Sequence, residues 1–173
     1  MITNNHDCII YVNYTGETLG CVAPNLFAAI ASVSGDTVIR GGIEQCDRSF
    51  RNFNTSISVL HVHGDSDNIV PYGGSEILGF PDISSDMQSW AKRNGCSPKS
   101  TQTLNKGAFY NELWIDECTN NARIELVTNK DNGHVWPRTA EFNTSTYIID
   151  FFNSLKPRHM YNRDLSDTHL AIS

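Results

Sequence analysis

Val59–Tyr72 reads VLHVHGDSDNIVPY. The stretch runs apolar into Gly64, opens a polar loop carrying Asp65 and Asp67, and closes on Ile69-Val70-Pro71-Tyr72. Its first half continues a run that starts at Ser56, SISVLHVH. The apolar positions there are nearly continuous rather than cleanly alternating, which suits a strand covered on both faces in a parallel sheet. In open α/β sheets the functional groups sit in loops at the carboxyl ends of strands. An aspartate in such a loop can accept a hydrogen bond from a histidine and fix its tautomer.

Three other runs have the same character: Cys8–Tyr14 (CIIYVNY), Phe27–Ser34 (FAAIASVS) and Ile124–Thr128 (IELVT). Two helices alternate with them. Ser84–Asn94 opens with serine caps, spaces Met87, Trp90 and Ala91 as core contacts, and stops at Gly95. Thr144–Leu155 puts Ile148, Phe151, Phe152 and Leu155 on one stripe before Pro157. Residues 101–118 read as a hairpin turning near Asn105-Lys106-Gly107. Cys96 and Cys118 bracket it; a disulfide would close this excursion, and two free buried thiols fit the spacing as well. Strands alternating with helices predict an α/β fold, a mostly parallel sheet with helices on both faces. One domain is expected over residues 1–157, with a loose polar tail over 158–173. The connection Thr15–Leu26 is near the shortest that a parallel crossover allows. It contains Gly16, Gly20 and Pro24, which oppose a helix, so the sheet is expected to be truncated toward its amino-terminal side.

Composition narrows the function classes. The chain has 173 residues, 39% of them hydrophobic, enough for one buried core. A net charge of −6 and the absence of any Lys/Arg run argue against nucleic acid or an anionic membrane as partner. No apolar stretch reaches the ~18 residues of a membrane span, and no signal peptide is visible after Met1. None of the five cysteines forms a C-x-x-C pair, which argues against structural zinc and dithiol redox chemistry. Their odd number leaves at least one thiol free or paired between chains. Glycosylation triplets begin at Asn13, Asn54 and Asn143.

A second loop complements the first. DNGHVWP, Asp131–Pro137, follows the fourth strand and presents His134 after a glycine. Taken together, PNLFAAIASVSG (24–35), VLHVHGDSDNIVPYGG (59–74), SWAKRNGC (89–96) and NGHVWP (132–137) resemble a family of secreted α/β-hydrolases. These are the polyhydroxybutyrate depolymerases and the feruloyl or acetylxylan esterases, of carbohydrate-esterase type. The resemblance covers residues 8–155, and the chain order of acid then histidine is that of α/β-hydrolases. It implies a hydroxyl nucleophile, His134 as general base, Asp67 as triad acid and a Cys96–Cys118 disulfide. Asp65 stands where the family carries a small polar residue and is not the implied acid. The family's Gly-x-Ser-x-Gly elbow corresponds to Gly16-Glu17-Thr18-Leu19-Gly20, which makes Thr18 the nucleophile candidate. Its β-methyl crowds the strained elbow and restricts its rotamers.

The resemblance further implies ester substrates, small or polymer-linked, an extracellular location and no cofactor. Trp136 and Tyr72 are candidates for lining an acyl or aromatic pocket, and equally for core positions. His61 and His63 lie two apart on a strand and face one side, which invites a metal; no third ligand of suitable spacing accompanies them, so none is expected. Ser32 and Ser34 read as structural. A second reading of the whole is a catalytically silent, truncated hydrolase remnant with at most a binding role.

Overall fold

The computed structural model describes residues 8–10, 15–37, 43–97, 101–107, 109–114 and 117–155. In chain order these form β1 (Cys8–Ile10), α1 (Thr15–Val22), β2 (Ala29–Val33), α2 (Ile43–Phe53), β3 (Ser58–Gly64), α3 (Ile83–Arg93), β4 (Thr101–Lys106), β5 (Phe109–Trp114), β6 (Ile124–Asn129) and α4 (Thr144–Ser154). The strands make one six-stranded sheet in the order β1-β2-β3-β6-β5-β4. The first four are parallel; β5 and β4 add an antiparallel hairpin at the edge, turning at Gly107. The fold is α/β. The tail 158–173 and the strand residues 11–14 lie outside the described residues.

Strand periodicity sorts the core onto two faces. Ile30, Val59, Ile124 and Leu126 point to one side, where α1, α2 and α3 supply Cys21, Cys46, Phe50, Ile83, Met87 and Trp90. Ala29, Ala31, Val33, Leu60, Val62 and Val127 point to the other, against Phe142, Ile148 and Phe151 of α4 and its approach. Helices therefore cover both faces, which is why β2, β3 and β6 are buried at every position. Glu125 is the charged residue of β6 on the α4 side. Its carboxylate accepts from the Tyr147 hydroxyl and lies 2.8 Å from Arg123 Nη2, so the buried charge is paired.

Two helices depart from the reading above. Thr15–Val22 is a helix despite Gly16 and Gly20. Packing supplies the reason: a Cβ on Gly20 would lie 2.8 Å from Ile30 Cδ1 and 3.0 Å from Ile57 Cδ1. The glycine lets α1 lie directly on the sheet, and that burial outweighs a propensity cost of about 1 kcal/mol. A Cys21–Cys46 disulfide then ties α1 to α2. The helix α2 was not anticipated, because its apolar residues are sparse. Its signal was the 3-4-3 spacing of Ile43, Cys46, Phe50 and Phe53.

The boundaries of α3 also shift. Its cap is Asp82, whose Oδ1 accepts from Ser85 N at 2.8 Å, rather than a serine. Asn94 closes the helix: its Nδ2 donates to Trp90 O, and its Oδ1 accepts from Ile57 N ahead of β3. The second disulfide, Cys96–Cys118, is present and closes the segment that contains the hairpin. Among the described residues no helix is long and apolar enough to cross a membrane.

Candidate active site

β3 and β6 run side by side and in parallel, with Gly64 opposite Asn129. The loops that leave their carboxyl ends therefore start as neighbours. Backbone bonds keep them together: Asp65 N donates to Asn129 O at 3.0 Å and Ser66 N to Asn132 O at 2.9 Å. Asp65 adds a side-chain brace, its Oδ1 accepting from Asp131 N at 2.7 Å. This employment of Asp65 is structural. The approach is close enough that a Cβ on Gly64 would sit 2.1 Å from the Asn132 carbonyl oxygen, so only glycine fits there.

Within this frame Asp67 and His134 meet. Asp67 Oδ2 lies 2.9 Å from His134 Nδ1. Asp67 Oδ1 accepts from the backbone N–H groups of Ile69 (2.8 Å) and Val70 (2.9 Å), so the carboxylate plane is fixed from its far side. The Asp67 side chain is buried, and that of His134 is about a fifth exposed. A carboxylate can only accept from a neutral or charged imidazole, so Nδ1 carries the proton and Nε2 is the basic nitrogen. Behind His134, Ser34 braces the loop by donating from Oγ to Val135 O at 3.2 Å.

Thr18 is the fourth residue of α1, half-buried, and it follows Glu17. Glu17 reaches the same end of the sheet. Its Oε1 is 2.5 Å from His61 Nδ1, His61 Nε2 is 2.9 Å from His63 Nδ1, and His63 Nε2 is 2.9 Å from Val70 O and 3.4 Å from Asp67 Oδ2. Bonding assigns the protons. Val70 O only accepts, so His63 Nε2 donates. Burial holds His63 neutral, its pKa lowered to about 4, with His61 adding to the effect. Its Nδ1 therefore accepts, and His61 Nε2 donates. Burial lowers His61 to about 4 and raises Glu17 to about 8. At neutral pH a protonated Glu17 thus donates to His61 Nδ1. All four ring nitrogens of the His-x-His pair are engaged within the protein.

The sequence did not reveal a second cluster beside this chain. Glu17, Asp36 and Asp86, all buried, bring carboxylate oxygens within 4.8 Å of one another. Three carboxylate oxygens so close could supply part of the oxygen shell of a hard divalent cation. Without one, burial and then mutual repulsion raise Asp36 to about 9, and burial followed by Glu17 raises Asp86 to about 7. Asp86 Oδ2 accepts from Thr37 Oγ1 at 2.7 Å, and that hydroxyl accepts from Trp90 Nε1 at 3.2 Å. The residues lie far apart in sequence, and only packing of α1 and α3 around the end of β2 joins them.

The two aromatic candidates separate. Tyr72 packs on the α3-side core, edge-on to His63, and its hydroxyl is 2.7 Å from Thr128 Oγ1. Trp136 is about a third exposed and donates from Nε1 to Ser145 Oγ in α4. Ile69 and Val135, both about half exposed, are further exposed apolar residues on the two loops that carry Asp67 and His134. No protein-family model matches this chain, and no curated protein sequence matches it.

Proposed function

We propose that this chain is a carboxylic ester hydrolase of the polyhydroxybutyrate depolymerase and feruloyl esterase type. Asp67 orients His134, and His134 activates the hydroxyl of Thr18. The observation that carries the reading is the 2.9 Å bond from His134 Nδ1 to an Asp67 carboxylate already fixed by two backbone N–H groups. That is the acid–base half of a hydrolase triad, on loops at adjoining strand ends and in the chain order of α/β-hydrolases.

The reaction follows from these groups. His134 Nε2 takes the proton of Thr18 Oγ1 as that oxygen attacks the ester carbonyl carbon. The imidazolium, stabilised by Asp67, returns the proton to the departing alcohol oxygen, leaving an acyl ester on Thr18. Water, deprotonated by Nε2, attacks the same carbon; the acid leaves and Thr18 regains its proton. The first turn of α1 has backbone N–H groups without intrahelical acceptors, suited to hold the developing oxyanion. Exposed Ile69, Val135 and Trp136 on the loops of the pair suit acyl or aromatic esters, including polymer-linked ones. Two disulfides suit an oxidising compartment, which supports a site of action outside the cell.

One observation favours the silent-remnant reading, with at most a binding role. Thr18 stands inside the first turn of α1 and not on the strand-to-helix turn ahead of it. Hydrolysis of a short-chain chromogenic ester separates the two. The esterase reading requires turnover by the folded chain, loss in Thr18→Ala and retention in Thr18→Ser. Turnover untouched by Thr18→Ala would remove Thr18 from the mechanism, and none in a folded wild type would favour the silent reading.

A further inference from the structure

We infer that His63 is a positioning residue for the Asp67–His134 pair, locked in one tautomer by a buried relay that starts at Glu17. The inference deepens the esterase reading and rests on it for its catalytic consequence, but its structural content stands alone.

The route is continuous. His63 Nε2–H donates to Val70 O at 2.9 Å. The same residue's N–H donates to Asp67 Oδ1 at 2.9 Å, beside that of Ile69. His63 thus anchors Val70 by its carbonyl, and the N–H of Val70, in the preceding peptide, holds the far side of the carboxylate whose near side meets His134. His63 Nε2 also lies 3.4 Å from Asp67 Oδ2, the oxygen that binds His134. None of this survives a tautomer flip, because an unprotonated Nε2 would face a carbonyl oxygen and a carboxylate. The flip is blocked at the other nitrogen, where His61 Nε2–H donates to His63 Nδ1. His61 is fixed in turn by Glu17 at its Nδ1. Both rings are buried and stacked, with centroids 5.1 Å apart, so water does not compete for these nitrogens.

His63 touches neither substrate nor reacting atoms, so the test needs a readout beyond rate. Imidazole nitrogen resonances of the isotope-labelled full chain report tautomers directly. The wild type is expected to show His63 with the proton on Nε2, and a slowly exchanging low-field proton on His134 Nδ1. In His63→Leu that proton exchanges about tenfold faster or more, and kcat for a short-chain ester falls by a similar factor with KM little changed. His63→Gln, which keeps a side-chain N–H donor, restores both. A His63 proton on Nδ1 in the wild type would overturn the inference without any variant having to fold. So would an unchanged His134 resonance in folded His63→Leu. If the chain cleaves no ester but the His134 resonance depends on His63 as stated, the inference stands and the esterase reading fails.

Discussion

Asp67 carries the most at the scale of single residues, because one carboxylate unites two loops. Asp67→Asn keeps the size but turns an acceptor toward His134 into an amide that can donate, favouring the wrong imidazole tautomer. A folded Asp67→Asn chain is expected to lose about 10³–10⁴-fold in kcat for an ester, with KM less affected. Steady-state kinetics beside a circular dichroism spectrum check this. Gly64 is decisive for a different reason. The Cβ of an alanine would lie 2.1 Å from a backbone oxygen, and no side-chain rotation relieves that. Gly64→Ala should cost about 3 kcal/mol or more and separate the two loops, seen as a lowered urea midpoint.

The elements show what a sequence can and cannot convey. β2, β3 and β6 were legible because burial on both faces writes a nearly unbroken apolar run. The loops after β3 and β6 were legible because Gly64, Asp67, Gly133 and His134 stand at strand ends. Helix α1 was not, since the glycine that argues against a helix in isolation is what lets this one approach Ile30 and Ile57. Nor was the Glu17–His61–His63 relay. His61 and His63 were seen to share a face, but their partner comes from α1 across the fold. The pairing of Cys21 with Cys46 is equally a product of α1 packing beside α2. It spans a sequence separation of 25, so removing it with Cys21→Ala and Cys46→Ala together should cost about 3–4 kcal/mol by loop entropy. Urea unfolding of the double variant against the wild type measures that loss.

For the molecule as a whole, buried acids govern how stability depends on pH. Glu17 and Asp36 have folded pKa values raised to about 8 and about 9, and Asp86 to about 7, each mainly by burial. Unfolded, all three ionise near pH 4. His61 and His63, neutral when folded, oppose the acids while their unfolded forms titrate near pH 6.5, and that part fades by about pH 7.5. From pH 6.5 to about pH 8 the three acids outweigh them and the folded chain binds more protons than the unfolded one, so stability falls as pH rises. Each retained proton contributes a slope of about 1.4 kcal/mol per pH unit, and the decline levels off once the folded acids ionise. Urea midpoints should therefore drop between pH 6.5 and pH 8, and Asp36→Asn should flatten the drop by one proton's worth. A midpoint that rises over this interval would show these carboxyls to be ionised, as a bound cation would make them.

The esterase proposal rests on Asp67 and His134 as its working acid–base pair. The most direct test is the initial rate of short-chain ester hydrolysis by the purified, folded chain beside folded His134→Ala. Saturable turnover by the wild type and a loss of about 10³-fold or more in the variant are expected. Equal rates from the two, or no turnover by either, would contradict the proposal.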